Sequence, residues 1–140
     1  MALDVSEQIE RGRKPTGDTI KWWMAQSDAA KRVFHEKAKP AKEVLTLFSQ
    51  WYASDGTLKG VNPVKNRAYV WGNGSTFDIS ILENIFRDYG IECPWGYNKP
   101  MDLRTFKRFK ASGQQVVKSG VNHNALDDAT SQANYVMENS

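Results

Sequence analysis

The chain has 140 residues, of which 40% are hydrophobic and 25% are charged, as is ordinary for a globular protein. This length predicts one domain, residues 1–140, with enough chain to bury a modest core. A net charge of +3 and a pI of about 9.0 fit an anionic partner without requiring one. The single cysteine excludes an intramolecular disulfide, and the sequence has no membrane-spanning run and no secretory signal. We therefore expect a cytoplasmic protein without a membrane partner.

Two helices are predicted in the first half of the chain. Residues 18–35 carry an apolar stripe at helical spacing, and Asp18 or Thr19 is expected to cap its start. Pro40 ends that pattern, and apolar residues recur at the same spacing over residues 41–53. A polar loop is expected to follow the second helix.

The second half of the chain mixes strand and helix patterns. Residues 67–72 form a short apolar run that predicts a buried strand, and a helix is expected over 77–89, with Gly90 as its stop. Residues 102–105 are expected to end a short strand or to open a helix, and the last helix is predicted over 123–138. The alternation of strands with helices favours an α/β class.

An imidazole and two carboxylates stand at the start of the last predicted helix, where His123 precedes Asp127 and Asp128. A further carboxylate, Asp78, follows the predicted strand. Hydrolysis of a phosphodiester commonly uses a metal held by carboxylates and a base that takes a proton from water near neutral pH. Each of these residues alone is more often structural, because the helix dipole favours an acid in a first turn.

Other features of the sequence have ordinary structural explanations. Gly72 and Gly74 do not form a dinucleotide-binding motif, because Phe77 occupies the place of the third glycine. These glycines are expected to let the backbone turn sharply beside a ligand or metal. Trp22 and Trp23 are expected mainly to pack in a core, although one ring could stay exposed and stack on a base. Two basic clusters are usually solvated faces, although they could also bind phosphates; they comprise Lys31, Arg32, Lys37, Lys39 and Lys42, and Arg104, Lys107, Arg108 and Lys110.

Four blocks occur in a fixed order along the chain, and they are Gly12-Arg13 with residues 19–27, then residues 71–78, 102–105 and 123–129. This ordered set covers about residues 2–137. It resembles the DEDDh 3′-to-5′ exonucleases of the ribonuclease H-like fold, and in particular the phage and prophage branch of exodeoxyribonuclease VIII type. The resemblance implies an α/β ribonuclease H-like domain that uses two metal ions, Mg²⁺ or Mn²⁺, in the host cytoplasm if it is phage encoded.

The resemblance also assigns roles to particular residues. Asp78 and Asp128 match metal-binding aspartates, and His123 matches the general base. Asp127 is then a neighbour of the site, and the role of Asp102 stays open. The residues that match or adjoin the nucleic-acid end are Asn73, Phe77, Arg104 and Lys107. The implied substrate is the 3′ end of a nucleic acid, with single-stranded DNA expected, although the residues themselves do not distinguish DNA from RNA.

One motif of the family has no counterpart in this sequence. The family's first strand carries Asp-x-Glu, whereas Asp4 and Glu7 have a different spacing. We expect the first strands to be missing, which would leave an unpaired edge on the strand over 67–72 for a second copy or a partner chain to cover. Two metal ions would also lack most of their negative ligands, so this chain alone should hydrolyse nucleic acid slowly or not at all.

Two functional hypotheses follow. The first is a 3′-to-5′ exonuclease, seen as a fragment, a split product or a shortened protein. The second is a non-catalytic module derived from an exonuclease, which binds nucleic acid or another protein through the basic clusters or the strand edge.

Overall fold

The computed structural model describes residues 2–54, 68–110 and 115–140. The chain forms two compact units. One, the terminal unit, contains residues 1–44 and 116–138 with Ser140, and the other, the central unit, contains residues 45–115 with Asn139. None of the described helices has the length and apolar character needed to cross a membrane.

The terminal unit is helical. Its elements are α1 (Val5–Glu10), α2 (Gly17–Met24), α3 (Asp28–Lys31), a 3-10 turn (Arg32–His35), the first turn of α4 (Ala41–Ala53) and α7 (Ala125–Glu138). Leu3 and Lys39 form an isolated parallel bridge, and the Ala41 N–H donates to the Glu7 carboxylate at 2.8 Å. These two contacts tie the N-terminal segment to the start of α4.

The prediction of one helix over residues 18–35 was wrong, because the helix is interrupted after Met24. The Ser27 hydroxyl accepts the Ala30 N–H at 3.2 Å and starts a new helix at Asp28. A serine at an N-cap satisfies a backbone donor that would otherwise have no partner. The apolar residues of the predicted stripe are therefore divided between two short helices and a 3-10 turn.

Side chains also cap the N-terminal ends of α1 and α2. Asp4 caps α1 by accepting two backbone N–H groups, from Ser6 and its successor. The cap of α2 is Thr16, whose hydroxyl accepts the Thr19 N–H at 3.2 Å, and not Asp18 or Thr19 as the sequence predicted. The remaining predicted helices agree closely with the structure: α4 is Ala41–Ala53 and α7 is Ala125–Glu138.

The central unit contains a small α/β arrangement. Its elements, besides most of α4, are β1 (Val70–Gly72), α5 (Ser75–Asp88), β2 (Pro100–Asp102) and α6 (Leu103–Lys110). The two strands pair in parallel, with Trp71 opposite Met101. Within the described ranges β1 pairs with β2 alone. The predicted α/β class is confirmed, and residues 102–105 both end a strand and open a helix; residue 67 of the predicted strand lies outside the described residues.

The core of the central unit lies beneath α5. Phe86 and Leu103 are each 1% exposed, and the ring of Trp95 meets those of Phe86 and Phe48 edge-on at centroid distances of 5.8 and 6.1 Å. The predicted stop of α5 is confirmed at Gly90, which has a φ of 62°. Only glycine adopts that conformation without strain, so the helix ends there and the chain turns toward β2.

Candidate functional site

Asp78 lies in the first turn of α5, directly after the carboxyl end of β1. Its side chain is exposed, and its Oδ2 accepts the Gly74 N–H at 3.3 Å. The positive end of the helix dipole favours a negative charge at this place. The strand therefore ends at a loop to which the Asp78 carboxylate is hydrogen-bonded.

Gly72 leaves the space that Asp78 occupies. A Cβ at this position would lie 3.4 Å from Asp78 Oδ2 and 3.2 Å from the Ser75 Cα. Neither Gly72 nor Gly74 has a positive φ among the described glycines, and Gly74 is extended at a φ of −153°. The expectation that these glycines serve a sharp turn is thus corrected for Gly72, whose lack of a side chain allows the close approach of α5.

Asp102, whose role the sequence left open, caps two helices at once. Its Oδ2 accepts the Ser75 N–H at the start of α5, and its Oδ1 accepts the Thr105 N–H in the first turn of α6, each at 2.7 Å. These backbone hydrogen bonds lower the pKa of the Asp102 carboxyl from 3.8 to about 2. Asp102 therefore fixes the start of the helix that carries Asp78, which is a structural role.

Residues predicted to meet nucleic acid surround this loop. The Arg104 guanidinium lies 3.6 Å from where a Cβ of Gly74 would stand, so the structure brings a cation to the loop that follows β1. Asn73 and Arg104 are exposed, Phe77 is 68% exposed, and Lys107 is half-buried on the next turn of α6. The surface around Asp78 therefore combines a cation, an amide and an exposed aromatic ring.

His123 stands in a turn of the terminal unit just before α7, and we call residues 119–124 the histidine turn. The Asn124 N–H donates to the Val121 carbonyl at 3.1 Å, which closes the turn. His123 has a φ of 66°, the only positive value at a described residue other than glycine. Such a backbone conformation is strained for a histidine and persists only where the surroundings hold it.

Trp22 contacts the imidazole of His123. Their ring centroids are 4.8 Å apart and the rings meet edge to face at 79°. The imidazole remains exposed to solvent. The contact restricts the ring without enclosing it, so His123 is accessible to water and to a substrate. Trp22 is 45% exposed and Trp23 is half-buried, so Trp22 is the more exposed ring of this pair.

Asp127 holds the histidine turn, a role that the sequence analysis missed. Its Oδ2 accepts the Val121 N–H at 2.8 Å, and its backbone carbonyl accepts the hydroxyl of the buried Ser131 at 2.8 Å. The Ser131 hydroxyl in turn accepts the Ser119 N–H at 3.1 Å. Ser119 and Val121 of the turn are thereby both bonded to α7. The sequence signal that could have revealed this role is Ser119-Gly120, which stands seven to nine residues before the acidic pair.

Asp128 lies in the first turn of α7 and is partly exposed, with 30% of its side chain accessible. The Lys118 ammonium is 4.0 Å from its Oδ1. Asn124 caps the helix by accepting the Leu126 and Asp127 N–H groups at 3.0 and 3.3 Å. The terminal unit thus brings His123 and Asp128 to the same helix start, whereas Asp78 belongs to the central unit.

Among the described residues, neither unit contains three His, Cys, Asp or Glu side chains placed to hold a metal ion. The two-metal site implied by the resemblance therefore does not fit the acidic residues of either unit alone. What each half offers is distinct: a capped carboxylate beside a guanidinium in one, and an exposed imidazole with a carboxylate in the other.

Nearly the whole chain is similar to a known protein family. A family model described as the 3′-5′ exoribonuclease Rv2179c-like domain matches residues 1–139. No curated protein shows significant similarity to the chain, and no solved structure does. The matched residues include both Asp78 and the histidine turn.

Proposed function

Because the chain belongs to the family of 3′-5′ exoribonuclease Rv2179c-like domains, we propose that it acts on nucleic-acid 3′ ends as a DEDDh-type exonuclease with a ribonuclease H-like arrangement of its site. The reaction is hydrolysis of the terminal phosphodiester bond. RNA is the substrate that the family description names, and single-stranded DNA is the second candidate. The likeness to the phage and prophage branch is a further part of this proposal.

The observation that carries the proposal is the histidine turn. An exposed imidazole is held in a strained backbone conformation by Asp127, restricted by Trp22, and followed by a carboxylate in the first turn of α7. Strained backbone tends to be retained where function requires a side chain in one orientation. In the proposed reaction His123 removes a proton from the attacking water, since imidazole exchanges protons near neutral pH.

Asp78 and Asp128 are the carboxylates assigned to the site by the resemblance. The family resemblance implies that Mg²⁺ or Mn²⁺ would polarise the scissile phosphate. Within the described parts of the chain, neither unit alone presents a full ligand set, so the roles of the chain in this proposal are binding, orientation and proton transfer. Because the sequence has no Asp-x-Glu motif, we expect weak Mg²⁺ binding and slow hydrolysis.

The test uses 5′-labelled single-stranded RNA and DNA with the purified chain, with Mg²⁺ or Mn²⁺, over long incubations. A 3′-to-5′ exonuclease shortens the labelled strand from its 3′ end, one nucleotide at a time. His123→Ala should slow shortening by about 10²- to 10⁴-fold, the usual contribution of a general base. The matched control is His35→Ala, since His35 is the other histidine of the chain and is exposed.

Two outcomes reject the proposal for this chain. One is the absence of any shortening at high protein concentration. The other is an equal rate of shortening by the His123→Ala and His35→Ala variants, which would assign the activity to a contaminant or to another residue.

A second candidate function is supported by α6. This eight-residue helix carries four basic residues and no acidic one, with an exposed phenyl ring at Phe109. Such a helix fits the sequence-independent binding of phosphates. A non-catalytic nucleic-acid-binding module would retain RNA in the presence of a chelator and after His123→Ala, and it would lose binding as salt rises. Arg108→Ala should then lower the affinity, and unchanged affinity would exclude α6 as the binding surface.

A further inference from the structure

The terminal unit contains an apolar cavity that the proposed reaction does not use. It has a volume of about 450 Å³, within the usual range of about 300–1,000 Å³ for small-molecule sites. We call it the aromatic pocket. Its walls are formed mainly by Ile20, Trp23, Met24, Lys31 and Phe34.

The aromatic pocket is linked to His123 through two indole rings in contact. Trp23 lines the pocket and meets Trp22 at a centroid distance of 5.0 Å, and Trp22 meets His123 at 4.8 Å. On the other side Trp23 meets Phe34 at 5.0 Å. A group in the pocket that contacts Trp23 is therefore separated from the imidazole by two indole rings, Trp23 and Trp22.

The pocket walls are unusually exposed for large apolar side chains. Met24 is 72% exposed, Phe34 is 54% exposed and Ile20 is 47% exposed. A cluster of exposed apolar side chains around a cavity commonly marks a binding site. A nucleobase suits such a site, because bases of single strands stack on aromatic side chains whatever their sequence.

The charge around the pocket favours a polyanionic ligand over a basic peptide. Residues 13–39, which contain the pocket, carry seven lysines and arginines against three acidic residues. At the pocket itself, the Lys31 ammonium lies 3.2 Å from Asp28, whose side chain is fully exposed. Exposed ion pairs of this kind contribute little free energy, so the pair with Asp28 competes only weakly with a phosphate for the Lys31 ammonium.

We propose that the aromatic pocket receives a nucleobase of a single-stranded nucleic acid, close to the phosphodiester that His123 serves. The choice of nucleic acid rests on the proposed function, whereas the site rests on the pocket, its exposure and the contact of its wall residue Trp23 with Trp22. Stacking in the pocket would position the strand without reading its sequence.

The experiment measures binding by the full chain without divalent metal, so hydrolysis does not enter it. The probes are a hexa-adenylate RNA and an abasic ribose-phosphate hexamer of the same length. The Trp22 and Trp23 indole N–H signals and the Met24 methyl signal are followed by NMR. These signals should shift with hexa-adenylate and stay in place with the abasic hexamer.

Phe34→Leu should weaken hexa-adenylate binding about 5- to 100-fold, the range for loss of one stacked base, and leave the abasic hexamer unaffected. Met24→Ala, at a mostly exposed position where folding is safe, should weaken it less but in the same direction. The control is Tyr97→Leu, which removes an aromatic ring that is 98% exposed in the central unit and should change affinity less than twofold.

Three results would overturn the inference. They are equal shifts with the abasic hexamer, an equal loss of affinity in Tyr97→Leu, and pocket signals that move with protein concentration alone, which would assign the pocket to a second copy of the chain. A chain that binds as expected but does not hydrolyse RNA would refute the proposed function alone. Hydrolysis without pocket shifts would refute only the pocket.

Discussion

The histidine turn should tolerate no side chain at Gly120, which makes Gly120→Ala a sharp test of how the turn is held. Gly120 has a φ of 77°, and a Cβ there would fall 2.5 Å from the Asp127 Cγ. Real Cβ atoms do not approach that closely, so the Asp127 carboxylate would have to move. In moving it would release the Val121 N–H, which it accepts at 2.8 Å.

The expected cost has two parts. Alanine in a left-handed conformation costs about 1–2 kcal/mol, offset by about 0.4–1 kcal/mol from the lower entropy of the unfolded chain. Loss of a hydrogen bond to a charged group adds about 1.5–3 kcal/mol. The free energy of unfolding should therefore fall by about 2–4 kcal/mol. Gly12→Ala is the control, because Gly12 has a φ of 85° and nothing within 4 Å of the new Cβ, and it should cost only about 1 kcal/mol or less.

Urea unfolding followed by circular dichroism measures both costs. In the one-dimensional NMR spectrum, the ring proton signals of His123 are compared with those of His35. The His123 ring signals should move in Gly120→Ala and stay in Gly12→Ala. Equal losses of stability in the two variants would refute the reasoning. So would a Gly120→Ala cost that persists in an Asp127→Ala background, where the obstructing carboxylate is gone and the cost should fall to that of Gly12→Ala.

Three further predictions follow from the described contacts. Because folding lowers the pKa of Asp102 from 3.8 to about 2, its contribution to stability is present above pH 4 and is lost as pH falls toward 2. The Asp102→Asn variant should therefore unfold at a lower urea concentration than the wild type at pH 7, and the unfolding midpoints of the two proteins should converge at pH 2. Leu103→Ala should destabilise the chain by about 2–4 kcal/mol in chemical unfolding, and Ile81→Ala, at a 46% exposed site, by less than about 1 kcal/mol. Trp22→Leu should remove the ring-current displacement of the His123 Cε1 and Cδ2 proton signals at unchanged circular dichroism, and unchanged signals would contradict the ring contact.

Local patterns in the sequence were enough to predict several elements. The apolar spacing of α4, α5 and α7 and the stop at Gly90 depend on residues close together in the chain, and the structure agrees with them. The division of residues 18–35 was not predicted, because Ser27 reads equally well as a polar position inside a helix and as a cap. Only the hydrogen bond from Ala30 distinguishes the two.

The candidate site shows the same limit more clearly. His123, Asp78 and Asp128 stand out by residue type and order, and their catalytic roles stay predictions. The supporting residues did not stand out, because their roles depend on distant partners: Asp102 accepts a hydrogen bond from Ser75, 27 residues earlier in the chain. No spacing rule for short motifs reaches that far.

The two-helix cap at Asp102 has a consequence for local opening of the central unit. Its two oxygens hold the first turns of α5 and α6 separately, yet they belong to one carboxyl group that rotates as a body. The amide protons of Ser75 and Thr105 should therefore exchange with solvent at coupled rates, although 30 residues separate them. A single rotation about one side-chain bond would release both helix starts, including the turn that bears Asp78.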